Sequence, residues 1–413
     1  MMRLAAFVGL MWALVSTAAA QGLPVAVPEE VGLSAARLQR LDGLLAEAVD
    51  KEQIPGVVML VARHGQVVYH NAFGMLDMET EERMRVDALF RIAAMSKPLT
   101  TVAAMLLYEE GRFLLNDPVS LYLPEYARME VIDPQGGGVQ PARRPITIRH
   151  LLNHTSGLTY GEGPLAELYE RAGISVGLGP AAGTVGDMVS RLARLPLINH
   201  PGEEFHYGLS TDVLGRLVEV LSGSDLDEFV GSRILEPLEM TDTYFQIPRD
   251  KFARLAITYI ADGQGRLTRE PVDLSYLLDQ DYFSGGNGMI STASDYLRFC
   301  QMILNRGELD GVRLLSRKTV ELMTTNSIGN LYAPFRANSG DKFGYGFGIR
   351  TERGPYDEIE SIGTLGWDGA LYTRFWIDPE EDLIGVFMAQ SRGSWRTDLL
   401  GKARVLVYQA IVD

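Results

Sequence analysis

The chain has 413 residues, 46% of them hydrophobic and 22% charged, which is enough for one large domain or two interlocked ones. Its 38 basic and 53 acidic residues give a net charge of −15, and that surplus argues against nucleic acid or an anionic membrane surface as a partner. Cys300 is the only cysteine, so an intrachain disulfide is excluded.

The elements follow in chain order. Arg3, the apolar run from Ala5 to Val15 and the small residues Ala18, Ala19 and Ala20 form a signal-peptide pattern over residues 1–20. The run is shorter than the roughly 20 residues a spanning helix needs. The expected product is therefore secreted or periplasmic, with no stable membrane insertion once the leader is cut. Ser34 to Lys51 has helical spacing, with Leu38, Leu41, Leu45 and Val49 on one face and Ser34 as N-cap. Two apolar runs, Gly56 to Ala62 and Gln66 to Phe73, flank Arg63-His64-Gly65 and predict a hairpin, with Gly65 free to take positive φ in the turn. A long helix is expected from at or just before Ala94 to Gly111, because Pro98 is tolerated only in a first turn. That puts Ala94 where free N–H groups and the helix dipole favour negative charge.

The middle of the chain carries helix signals at Val185 to Leu195, Ser210 to Leu221 and Asp225 to Ile234. Cys300 falls in the apolar helical stretch Tyr296 to Leu304 and reads as a core residue. Strand signals return at Gly346 to Thr351, Ala370 to Ile377 and Leu383 to Ala389, with Asp378-Pro379-Glu380-Glu381 as a turn. A final helix is expected from Ser394 to Ile411, with Trp395, Leu399, Leu406 and Ala410 inward. Strands at both ends with helices between predict an α/β fold interrupted by a helical insertion. The expected divisions are an α/β domain of residues 21–115 and 296–413 and a mostly helical domain of residues 116–295. A cleft between them is the natural site.

Three segments carry possible chemistry. In Phe90-Arg91-Ile92-Ala93-Ala94-Met95-Ser96-Lys97-Pro98, positions 94 and 97 are i and i+3 and share a helix face. A serine at 94 would complete an S-x-x-K arrangement, in which lysine deprotonates the hydroxyl. Ser96, about 200° around the helix from 94, should face away. In Pro201-Gly202-Glu203-Glu204-Phe205-His206-Tyr207-Gly208-Leu209-Ser210, Tyr207 lies on a loop entering a helix, as a packing residue or as a proton shuttle. In Leu365-Gly366-Trp367-Asp368-Gly369-Ala370, glycines precede a strand, forming a plain tight turn or letting backbone N–H groups approach a ligand. His150 and His154 are spaced i, i+4, but no third ligand accompanies them and no metal is expected. Asn153-His154-Thr155 is formally a glycosylation sequon.

In combination these segments resemble the serine β-lactamase and penicillin-binding-protein superfamily, and within it the class C β-lactamase-like (family VIII) carboxylesterases. The family pattern runs F-R-I-A-S-M-T-K-P, H-T-S-G-L, P-G-x-x-x-x-Y, then G-W-G-G before T-R-F-W-I-D-P. This chain carries His154-Thr155-Ser156-Gly157-Leu158, Pro201-Gly202 through Tyr207, and Thr373-Arg374-Phe375-Trp376-Ile377-Asp378-Pro379, in the family's order and over roughly residues 30–410. The resemblance implies a β-lactamase-like fold, an antiparallel sheet flanked by helices. It implies no cofactor and a small-molecule ester or amide substrate. It makes position 94 the nucleophile's seat, Lys97 the base and Tyr207 its partner in proton transfer. The N–H groups of residues 94 and 370 would form the oxyanion hole, and Trp367 would line the acyl pocket.

The chain departs from that pattern at Ala94, which has no oxygen to form an acyl-enzyme. An alanine here fits a serine-to-alanine variant that holds substrate, or a natural relative that has lost the covalent step. Leu209 stands where lactamases have the asparagine of Y-x-N, and Trp367 where they have the lysine of K-T-G. Both changes remove polar partners of a β-lactam and favour uncharged acyl esters. Asp368 replaces a family glycine and, with Gly369, belongs to the expected substrate wall. The readings carried forward are a carboxylesterase-type hydrolase impaired by Ala94, a binding module for an ester or peptidoglycan-like ligand, and a β-lactamase or D-aminopeptidase on the same fold.

Overall fold

The computed structural model describes residues 22–133, 137–262, 266–331, 341–353, 359–394 and 397–413. The leader at 1–20 and Trp395 lie outside the described residues.

An eight-stranded antiparallel sheet forms the centre. Its strands are β1 (Gly56–Arg63), β2 (Gln66–Asp77), β3 (Glu82–Arg83), β4 (Asp341–Phe343), β5 (Gly348–Arg350), β6 (Leu365–Gly369), β7 (Thr373–Asp378) and β8 (Leu383–Ala389). Their order across the sheet is β4-β5-β6-β7-β8-β1-β2-β3, so the two ends of the chain meet where β8 pairs with β1. The expected hairpin forms, with both His64 (φ 51) and Gly65 (φ 71) left-handed in its turn.

Every residue of β1 and of β8 is buried, so both faces of the sheet are covered. Alternation divides the core in two. Val57, Met59 and Val61 pack with Trp376 and Phe387 against Leu41 and Leu45 of α1 (Arg40–Asp50) and Leu399, Ala403 and Val407 of the last helix. Val58, Leu60 and Ala62 point the other way, into the larger cluster shared with Phe375, Val386, Phe299 and the helical middle of the chain.

That middle supplies α2 (Ser96–Glu109), α3 (Ser210–Ser222) and α4 (Ala293–Leu304), and the chain closes with α5 (Leu399–Tyr408). Cys300 is buried in α4, where desolvation pushes its thiol pKa up.

Several boundaries differ from expectation. The first helix is interrupted at Gln39 between Ala35–Leu38 and Arg40–Asp50. The helix at Val185 stops at Leu192, and Leu226–Val230 gives way to a π turn over Gly231–Leu235. The strand expected at Gly346 to Thr351 is confined to Gly348–Arg350. The segment read as a glycine loop before a strand at 370 is itself a strand, β6. Residues 370–372 form the turn and β7 begins at Thr373. Leu365, Trp367 and Gly369 alternate inward along β6, a period of two that its glycines disguise. Of the inward residues expected in the final helix, Leu399 and Ala410 are buried and Leu406 is half-buried. Among the described residues, no helix is long and apolar enough to cross a membrane.

Candidate active site

The site is assembled from four separated segments. The first is the turn before α2. Ala93–Met95 is a single 3-10 turn and the α-helix proper starts at Ser96, two residues later than expected for a helix containing Ala94. Pro98 still falls within the first helical turn. Ala93 is held at φ 46, a strained conformation for a residue with a Cβ, so the chain bends sharply before Ala94. Ser96 is fully buried and accepts a hydrogen bond from Met289 N at 3.0 Å, turned away from the cleft.

Lys97 has no solvent exposure. Its Nζ lies 2.8 Å from Tyr160 Oη and 2.9 Å from the Gly286 carbonyl oxygen, and 4.8 Å from the centre of the Tyr207 ring. Burial lowers its pKa to about 7, against the opposing pull of the Asp212 carboxylate. An amine with that pKa is substantially neutral at physiological pH, as a general base must be.

The second segment is His154-Thr155-Ser156-Gly157-Leu158 and the two residues after it. Ser156 Oγ lies 2.8 Å from Ser210 Oγ at the start of α3, and His206 N donates to His154 O at 2.8 Å. These bonds tie this turn to the Tyr207 loop and set Tyr160 beside Tyr207, with ring centres 5.6 Å apart. Both tyrosines are half-buried, and desolvation raises both pKa values. Their hydroxyls interact, so Lys97, Tyr160 and Tyr207 form one polar chain. The histidines serve the scaffold. His150 accepts from Thr147 N at 3.2 Å in a capping box, and His154 packs on the Tyr207 and Phe343 rings. The sequon asparagine, Asn153, is buried and donates to Ser327 O at 3.1 Å.

The third segment, Ser284-Gly285-Gly286-Asn287-Gly288, closes the floor. Asp212, in the first turn of α3, accepts from Ser284 Oγ at 2.5 Å and from Gly286 N at 3.3 Å. A Cβ on Gly286 would lie 2.6 Å from Asp212 Oδ2 and 3.3 Å from Lys97 Nζ, so glycine is what allows the acid and the amine to share this floor. Desolvation raises the Asp212 pKa while the Lys97 charge pulls it down. Asn287 Nδ2 donates to Val176 O at 2.6 Å and lies 3.3 Å from Tyr160 Oη.

The fourth segment is β6 and its turn. Trp367 Nε1 donates to Tyr207 Oη at 2.8 Å. Gly369 lies so close to the nucleophile turn that a Cβ there would sit 2.4 Å from Ile92 O and 2.1 Å from Thr373 Oγ1. Thr373 Oγ1 in turn donates to Ile92 O at 3.3 Å. Residues 94 and 370 line the same cavity.

A cavity of about 860 Å³ opens over these groups. Ala94, Tyr160, Tyr207, Asn287, Trp367, Asp368, Gly369 and Ala370 line it at the chemical end. The expected site residues therefore meet, with two corrections. Leu209 is fully buried in the core and is absent from the cavity wall, because it caps the start of α3 and packs inward. Asp368 is held by Arg374, whose Nη1 donates to its Oδ1 at 2.6 Å, so its charge is locally neutralised rather than presented alone to substrate. Lys97 does not itself line the cavity, whereas Ala94, Tyr160 and Tyr207 do. Sequence reading missed Tyr160, Asp212, Gly286 and Asn287.

A family model described as Beta-lactamase matches residues 41–409. Protein Rv1367c of Mycobacterium tuberculosis is 36% identical over 369 residues, covering 85% of this chain and 90% of that protein. Esterase EstB of Burkholderia gladioli is 33% identical over 370 residues, covering 84% and 89%. Among solved structures, "EstCE1, a hydrolase with promiscuous acyltransferase activity" superposes with a TM-score of 0.78 at 29% identity, covering 92% of this chain and 99% of that one.

Proposed function

The chain belongs to the Beta-lactamase family, among relatives that include esterases and acyltransferases, and we propose that its cleft binds uncharged small-molecule carboxylic esters and retains every part of the acyl-transfer apparatus except the nucleophile. The observation that carries this reading is the Lys97 environment. A buried amine with a pKa near 7, held by Tyr160 and Gly286 directly behind residue 94, is costly to maintain. As it stands the chain would hold ester without the covalent step, because Ala94 has no oxygen.

With serine at 94 the chemistry follows from the geometry. Neutral Lys97 takes the hydroxyl proton as Oγ bonds to the ester carbonyl carbon. The oxyanion falls to the N–H groups of residues 94 and 370. The C–O bond to the alcohol breaks, and the alcohol leaves with a proton from Tyr207, replenished through Tyr160 and Lys97. Water then releases the acyl group as the carboxylic acid, or a second alcohol accepts it. Trp367 in place of a lysine, with its N–H committed to Tyr207, supports ester over β-lactam.

The test is Ala94→Ser assayed beside the unmodified chain with p-nitrophenyl acetate and butyrate. Turnover by the variant and none by the unmodified chain is expected. A folded variant that is inert would overturn the reading and favour a binding module for an ester or peptidoglycan-like ligand. Preferential turnover of D-amino-acid amides would favour the peptidase alternative. The leader pattern places the substrate outside the cytoplasm; detection of the mature chain only in the cytoplasm would contradict that.

A further inference from the structure

The cavity is much larger than a small acyl ester requires. At about 860 Å³ it lies near the upper end of the roughly 300–1,000 Å³ that holds whole drug-sized ligands. The chemical end occupies only part of it. Beyond Ala370 the wall continues through Tyr372 and the apolar side chains of Val176 and Leu178 to Leu400, Gly401 and Arg404 of α5.

Val176 and Leu178 are held by their backbones. The Val176 carbonyl accepts from Asn287 and the Leu178 carbonyl from Arg91 at 3.3 Å, while the neighbouring Ser175 carbonyl accepts from Tyr282 at 3.2 Å. This strap presents two aliphatic side chains opposite α5, and its fixed carbonyls leave them little freedom to collapse into the space between.

A second cavity adjoins this one at α5. This mostly apolar groove of about 430 Å³ runs between α1 and α5, lined by Leu44, Val405, Leu406 and Lys402, and it shares Asp398 and Gly401 with the first. Gly401 thus sits on the wall of both and carries no side chain into either. Val405 is 42% exposed although it is apolar. The two charged groups at the crossing, Asp398 and Lys402, pair with each other at 2.8 Å, so neither presents an unbalanced charge to a passing ligand.

From this adjacency we infer that the site takes an ester carrying an extended aliphatic chain, which leaves the chemical end past Val176 and Leu178, crosses α5 at Gly401 and lies along Leu44, Val405 and Leu406. The inference rests on the ester reading above and extends it by naming the substrate class. The chain belongs either to the alcohol or to the acyl part, and the two are distinguished by test.

The experiment uses Ala94→Ser with p-nitrophenyl acetate as reporter and aliphatic esters as competitors. Butyl and octyl acetate vary the alcohol; methyl butyrate and methyl octanoate vary the acyl chain. Each fully buried methylene is worth about fourfold in affinity. In one of the two series, the eight-carbon member should therefore inhibit at least about tenfold more tightly than the four-carbon member. Gly401→Leu, which fills the crossing, and Val405→Glu, which charges an exposed wall, should each collapse that ratio toward one. The ratio is read only on active, folded protein, so misfolding cannot imitate the result. Flat inhibition across both series, or a ratio that survives both substitutions, would overturn the inference while leaving the ester reading intact. If the reporter is not turned over at all, the ester reading fails. Calorimetric titration of the unmodified chain with octyl acetate and methyl octanoate then decides the extension, with no heat of binding counting against it.

Discussion

Lys97 Nζ donates to the Tyr160 hydroxyl at 2.8 Å, two groups that lie 63 residues apart in sequence and meet behind Ala94. Burial lowers the pKa of this lysine, and the bond links it through Tyr160 to Tyr207. Its consequences are measurable once position 94 carries an oxygen.

The first concerns pH. Lys97 works as a base only when neutral, and burial holds its pKa at about 7. The deprotonated fraction rises as pH rises through that value and levels off above it. In Ala94→Ser, kcat/KM is therefore expected to fall about tenfold per pH unit below 7 and to be flat at mildly alkaline pH. A pH–rate profile checks this; an acid limb near the ordinary lysine value, well above 9, would contradict it.

Asp212 supplies the second. Its carboxylate is what raises the Lys97 pKa against burial. Asp212→Asn, made in the Ala94→Ser background, removes that charge and keeps an oxygen for Ser284 and Gly286. The acid limb of the profile should move to lower pH. A limb that stays in place or moves up would show that Asp212 does not act on the lysine, and a purely structural role would lower stability without moving it.

The third tests the approach of β6 to the nucleophile turn. A Cβ at 369 would collide with Ile92 O at 2.4 Å and Thr373 Oγ1 at 2.1 Å. Gly369→Ala is expected to push residue 370 from residue 94, with a loss of about 10²–10³ in kcat/KM, the usual cost of one oxyanion donor, and about 1–3 kcal/mol of stability from overpacking. Kinetics beside denaturant unfolding separate the two. Undiminished turnover would remove residue 370 from the oxyanion hole.

Much of the frame was legible because its signals are local. The hairpin around Arg63-His64-Gly65, the start of α3 at Ser210 and the limits of β8 at Leu383 and Ala389 each follow from apolar periodicity bounded by turn residues. Strand β6 was missed because Gly366, Asp368 and Gly369 punctuate it like a loop. Its strand character comes from pairing with β5 and β7, which local propensity does not report.

The site was legible where chemistry is written into a short motif, as at Lys97 and Tyr207. Tyr160 lies two residues past the recognised His154 to Leu158 stretch, and extending that stretch would have found it. Asp212 and Gly286 gave a weaker signal, an acid in a helix's first turn and a run of small residues from 284 to 288. Their importance arises from tertiary convergence on Lys97. Leu209 was misplaced for the converse reason: adjacency to Tyr207 in sequence put it in the site, while the start of α3 turns its side chain into the core.

Trp367 offers a fourth prediction. Its indole N–H fixes the Tyr207 hydroxyl at 2.8 Å. Trp367→Phe removes that donor and should cost about 1 kcal/mol of stability, the net worth of one hydrogen bond. In Ala94→Ser it should also lower kcat more than it raises KM, because Tyr207 acts on the leaving group. An effect on KM alone would make Trp367 a wall of the pocket and nothing more.

The central claim is that the apparatus is complete apart from one oxygen atom at residue 94. Intact-mass and peptide mass spectrometry of Ala94→Ser, quenched in acid during turnover of p-nitrophenyl butyrate, tests it most directly. The account expects one butyryl group on the peptide containing residue 94, none on the unmodified chain, and none when Lys97→Met is added. A folded Ala94→Ser protein that never acylates, or that acylates equally without Lys97, would contradict it.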